Sequence, residues 1–86
     1  MDYKIEITEP AERKLKKRFD KELQRRFFNK IDKLKIAPTI YGKPLRGPLA
    51  GKWELKFERR WRIIYVIDEN EKVIYIESIL HKNEFT

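Results

Sequence analysis

The chain has 86 residues, with 21 Lys and Arg against 14 Asp and Glu, a net charge of +7 and a pI near 9.7. That length supports one domain, residues 1–86, with a modest core. Apolar residues at 41% and aromatics at 13% argue against a disordered chain. The absence of cysteine excludes a disulfide framework or thiolate metal site, and one histidine argues against a histidine-built zinc site. No run approaches the roughly 18 apolar residues of a membrane span. The N-terminus MDYKIEITEP carries no signal-peptide core, and the lack of cysteine fits a reducing cytoplasm. A charge this positive is the footprint of a polyanion partner, with nucleic acid foremost.

In chain order, Tyr3, Ile5 and Ile7 alternate with polar residues and predict a short strand. Thr8, Pro10 and Glu12 form a helix-start signal. Ala11, Leu15 and Phe19 recur every four residues and predict a helix from about Pro10 to Phe19. Asp20 caps a second helix whose core stripe is Leu23, Phe27, Ile31 and Leu34, widened by Phe28, and which ends at Ala37-Pro38. From Pro38 to Gly51 the prolines and glycines predict an irregular surface loop carrying Lys43 and Arg46, with Lys52 just beyond.

Trp53, Leu55 and Phe57, then Trp61, Ile63 and Tyr65, predict a β-hairpin with a three-residue loop at Glu58, Arg59 and Arg60. Phe57 then faces Trp61 and Lys56 faces Arg62. All six large side chains share one face, and two like charges are opposed on the other. After a polar turn at Asp68–Glu71, Lys72–Leu80 predicts a central strand, apolar on both faces. The fold class is α+β: an N-terminal strand, a two-helix hairpin, then a three-stranded antiparallel meander, with the helices packed on one sheet face. The face bearing Lys56 and Arg62 stays uncovered, as a surface for RNA or as a plain solvated face.

Four pieces in order carry a family resemblance: Lys43-Pro44-Leu45-Arg46-Gly47, Lys52-Trp53-Glu54-Leu55-Lys56-Phe57, Trp61-Arg62-Ile63-Ile64-Tyr65, and Ser78-Ile79-Leu80-His81-Lys82. Together they resemble the RelE/ParE toxin superfamily over nearly the whole chain. The RelE branch implies a metal-independent, cofactor-free endoribonuclease that cuts mRNA on translating ribosomes. Its reaction is attack of a ribose 2′-OH on the adjacent phosphate, and its partner is a RelB-like antitoxin. On that resemblance Lys56 is base or phosphate ligand, Arg62 stabilises the transition state, and Lys82 or His81 supplies the acid. Lys43, Arg46, Lys52, Arg59, Arg60 and Phe85 are the implied RNA or ribosome contacts. Glu54 departs from the pattern where some members carry lysine, and Phe85-Thr86 replaces a terminal tyrosine. Glu54 is also a candidate ion-pair partner for Lys56 or Arg62. The ParE branch implies a non-enzymatic poison of DNA gyrase instead, and a non-catalytic ribosome- or RNA-binding module is a third class.

Overall fold

Strand β1 (Lys4–Ile7) leads into helices α1 (Glu9–Arg18) and α2 (Lys21–Asp32), as the change from a period of two to a period near 3.6 requires. The computed structural model describes residues 2–85, with the side chain of Phe85 outside the described set. Pro10 lies in the first turn of α1, where its missing N–H is harmless. Thr8 occupies the cap position, but its hydroxyl donates to the Glu77 carbonyl at 3.1 Å instead of capping the helix. Asp20 caps α2 as its sequence context predicts, accepting from the Leu23 amide at 2.8 Å.

The α2 stripe is buried at Phe27, Ile31 and Leu34, with Leu23 partly buried against it. The structure departs from expectation at three points. Phe28 does not widen the core: it is 47% exposed, because one residue along a helix turns it about 100° away from Phe27. The α-helix also stops at Asp32, before Pro38, and tightens into a 3₁₀ turn, Lys33–Lys35, that delivers Leu34 to the core. Pro38 begins a short helix, α3 (Pro38–Tyr41), followed by a two-residue strand, β2 (Lys43–Pro44). The stretch from Pro38 to Gly51 therefore carries more regular structure than an irregular loop.

Strands β3 (Trp53–Phe57), β4 (Trp61–Asp68) and β5 (Val73–His81) form the meander, and a short helix α4 (Lys82–Phe85) follows. The sheet order is β1-β5-β4-β3-β2; β1 runs parallel to β5 and the other pairs are antiparallel. The β3–β4 register pairs Phe57 with Trp61 and Lys56 with Arg62, as the alternation predicts. Leu55, Phe57, Trp61, Ile63 and Tyr65 are buried and Trp53 is partly buried on the helix-facing side. Phe19 meets Trp61 edge-on at 4.9 Å, and Phe27 meets Phe57 edge-on at 5.8 Å. This aromatic cluster joins the helical hairpin to the sheet.

In β5 the alternation breaks once. Ile64 pairs with Ser78 but Tyr65 pairs with Ile76, so Glu77 is an extra, bulged residue. The bulge lets Ile74, Ile76 and Ile79 all bury on the helix side although the last two are three residues apart. Val73, with Ile64 on the neighbouring strand, is also buried from the other face, which explains the doubly apolar reading of this strand.

Tyr65 fixes α3 to the sheet. Its hydroxyl, fully buried, donates to the Pro38 carbonyl at 2.5 Å, and burial pushes its pKa up from 10.0 to about 12. Gly42 passes so close that a Cβ there would lie 1.9 Å from the Tyr65 hydroxyl oxygen and 2.8 Å from Cζ. Gly42→Ala should therefore destabilise the fold by about 1–3 kcal/mol in urea unfolding, as overpacking does. The folded state favours neutral Tyr65, so its contribution is complete below pH 10 and is lost as the pH rises towards 12. Across that window the wild type should lose roughly 2–3 kcal/mol more than Tyr65→Phe, measured by unfolding at each pH.

Candidate functional site

The sheet face away from the helices carries Glu54 and Lys56 from β3 and Arg62 from β4, because alternation sends them opposite to Leu55, Phe57 and Trp61. Arg62 is held on several sides. Its Nε lies 3.5 Å from Glu54 Oε2, and its Nη1 donates to the carbonyls of Arg59 at 3.2 Å and Trp61 at 3.0 Å. The pair is largely buried, with 18% of the Arg62 side chain and 11% of the Glu54 side chain exposed. Nη2 has no hydrogen-bond partner among the described residues. Lys56, directly across from Arg62, is exposed. Of the two partners open to Glu54 in the sequence, the structure selects Arg62.

Strand β2 pairs only with Trp53 and Glu54, so β3 runs on past it. Along that edge lies a cleft of about 140 Å³ lined by Lys30, Tyr41, Lys43, Glu54, Leu55 and Lys56. Lys30 comes from α2 and Tyr41 from α3, which is held in place by the Tyr65–Pro38 hydrogen bond. Neither residue stands out in the sequence as part of a site. Lys30 reads as one of many exposed helix lysines and Tyr41 as loop; only the fold brings them beside Lys56.

The other sequence candidates are dispersed. Lys52 pairs with Glu77, the bulged residue. Arg46 is exposed before the 3₁₀ turn Gly47–Leu49. Arg59 and Arg60 are exposed in the hairpin turn. Lys82, also exposed, donates its backbone N–H to the Arg60 carbonyl at 2.7 Å, so it sits at the turn end of the hairpin. The Phe85 side chain lies outside the described residues.

His81 is on the other face. It pairs with Trp61 and meets that ring edge-on at 5.3 Å on the helix side of the sheet. The bulge is the cause: strict alternation from Ile76 would place His81 with Lys56 and Arg62, and the extra residue turns it over. Its amide donates to Glu84 Oε1 at 2.8 Å, and Lys14 lies 3.0 Å from the same oxygen. The His81 amide first, and Lys14 after it, hold the Glu84 carboxyl below its ordinary range. Among the described residues no group of three His, Asp or Glu side chains could hold a metal ion, and no helix is long and apolar enough to cross a membrane.

A family model for the ParE toxin of the type II toxin–antitoxin system, parDE, matches residues 5–84. The chain belongs to this ParE toxin family. Among solved structures, the ParE-family chain is similar to one chain of the toxin–antitoxin complex RelBE2 from Mycobacterium tuberculosis. That likeness has 27% identity and a TM-score of 0.85, over 94% of this chain and 99% of that one. The archaeal RelE–RelB complex from Pyrococcus horikoshii OT3 matches at 23% identity and TM-score 0.75, over 95% and 97% of the two chains. The YoeB/ParE toxin from Agrobacterium tumefaciens matches at 18% and 0.79, over 91% and 96%. The last two share the fold. No curated protein sequence matches the chain significantly.

Removing one member of the Glu54–Arg62 pair strands the other in a largely buried setting. Arg62→Gln and Glu54→Gln should each cost about 1–3 kcal/mol, between the limits for exposed and buried pairs. The double variant should cost less than their sum; simple additivity in urea unfolding would show that the pair contributes no coupling.

Proposed function

We propose that this ParE-family chain is the toxin of a type II pair and acts in the cytoplasm as a metal-independent endoribonuclease on mRNA held by translating ribosomes. One observation carries the reading: Arg62 is fixed in orientation yet keeps Nη2 unpartnered among the described residues, opposite an exposed Lys56 on the uncovered face. A guanidinium held this way offers two donors to a phosphate oxygen as charge builds up in 2′-OH attack. Lys56 takes the hydroxyl proton. Lys82, at the turn end of the same hairpin, returns a proton to the leaving 5′-oxygen, since His81 lies on the opposite face. The products are a 2′,3′-cyclic phosphate and a free 5′-hydroxyl. A cognate RelB-like antitoxin, richer in acidic residues, would neutralise the basic surface and silence the site.

A second reading, a non-enzymatic poison of DNA gyrase, is favoured by the Glu54 carboxylate beside Arg62, which reduces the positive potential a nuclease would use. The two readings separate in one paired experiment. Purified toxin is added to a ribosome-bound message, the cut ends are mapped, and gyrase supercoiling is assayed in parallel. Cut message with unaffected gyrase is the expected result; an intact message with inhibited gyrase would overturn it. Arg62→Ala should reduce cutting by about 100-fold or more, the scale of losing a transition-state donor, while Lys16→Ala, on α1, should cut normally.

A further inference from the structure

The cleft beside Lys56 does not end at Lys30. That residue also lines a second groove, of about 360 Å³, between α2 and the hairpin turn, together with Arg25, Arg26, Asn29, Lys33, Phe57 and Glu58. The two depressions share Lys30 as a lining residue and together make up a track from Lys33 to Lys56. The arginines along it are taken up by carboxylates and its lysines are not. Arg25 and Arg26 are neutralised by Glu22, and Arg26 also by Glu58. Arg62 takes Glu54, Lys52 takes Glu77 and Lys35 takes Asp32. Lys30, Lys33, Lys43 and Lys56 belong to no ion pair among the described residues. The acceptors Glu54 and Glu58 that line the track are already engaged by arginines, so its lysines are left to an outside anion.

Tyr41 lies midway. It is 51% exposed, and Lys33 Nζ stands 5.7 Å from its ring centroid. An exposed aromatic ring between unpaired lysines is the pairing that single-stranded nucleic acid uses: phosphates on the cations, a base on the ring. We propose that this track is an entry path for single-stranded RNA. Lys33, Lys30 and Lys43 hold successive phosphates, and Tyr41 stacks a base next to the Lys56–Arg62 face. The path deepens the nuclease reading and rests on it for its role, although strand binding can be measured without any cutting.

The test is fluorescence anisotropy with a labelled uridine RNA of about ten nucleotides, 2′-O-methylated so that it cannot be cleaved, titrated over a range of salt. Wild type should bind, with log affinity falling linearly in log salt. Lys30→Gln and Lys33→Gln should each lower the magnitude of that slope by about 0.7, one single-strand phosphate contact. Tyr41→Ala should weaken binding roughly tenfold with the slope unchanged, and Tyr41→Phe should bind as wild type. Lys16→Gln, on the far helix, is the control for mere loss of charge. The path is overturned if wild type does not bind, if the track variants lose no more than the control, or if they lose affinity for polyglutamate as strongly as for RNA; the last result would make the track an acidic-protein surface. Track variants that fail to bind RNA, together with a wild type that leaves ribosome-bound message intact, would keep the path and remove the nuclease. Variants that bind and cut like wild type would remove the path and keep the nuclease.

Discussion

The turn from Glu58 to Arg60 is where the two faces of the molecule are decided, because its length sets the β3–β4 register and the register assigns every side chain to core or surface. Its geometry is costly: Glu58 and Arg59 adopt φ of 51° and 64°, a region that costs a non-glycine residue about 1–2 kcal/mol. Three contacts from separate elements hold it. Arg26 of α2 reaches Glu58 at 3.2 Å, Arg62 of β4 donates to the Arg59 carbonyl, and the Lys82 amide at the start of α4 donates to the Arg60 carbonyl. Arg62 is thus both a clamp on the turn and the central cation of the open face. A turn one residue shorter would pair Lys56 with Trp61, turning β3 over so that Lys56 faces the core and Phe57 the solvent, so the site and the core depend on the same constraint.

Most of the architecture was legible because it follows from periodicity. The alternation from Trp53 to Tyr65 defines strands, turn length and register together, and the four-residue spacing of Leu23, Phe27 and Ile31 defines the helix face. What could not be read lay where two frames were equally apolar. In Val73–Leu80 either phase buries hydrophobic residues, so nothing in the sequence marks Glu77 as the bulge. That one residue turns His81, one of the two acid candidates, away from the Lys56–Arg62 face. Lys30 and Tyr41 were illegible for a different reason: their proximity to Lys56 is created by α2 and by the Tyr65–Pro38 hydrogen bond, which no local pattern encodes.

A net charge of +7 favours polyanions in general and does not say where on the surface one would bind. That information lies in how the carboxylates are distributed. Around α1 and α2, glutamates take up Arg13, Lys14, Arg25 and Arg26, mostly as exposed pairs of small energetic value. These pairs nonetheless cancel the local field over much of the surface. Among the described residues Lys30, Lys33, Lys43 and Lys56 remain unpaired along the track, as do Lys16, Lys17 and Arg18 on α1, and positive potential persists over both stretches.

Glu54 is the residue that least resembles a nuclease position, and its contact with Arg62 limits what can occupy that place. The guanidinium divides its donors: Nε faces the carboxylate, Nη1 serves two carbonyls, and Nη2 has no partner among the described residues. A lysine could not do this, because one ammonium drawn to Glu54 would have neither the planar fork nor the reach to serve the turn as well. The carboxylate therefore has two opposed effects. It lowers the charge offered to a phosphate, and it removes the rotational freedom that an unpaired arginine would lose on binding. Where a reaction is limited by orientation, the second effect would outweigh the first, and Glu54 would act as a positioning group for Arg62. Where the partner is a protein surface bound through bulk charge, Glu54 only weakens the interaction. The Glu54–Arg62 pair is consequently the point at which the two proposed readings, nuclease and poison, make opposite physical demands on the same residues.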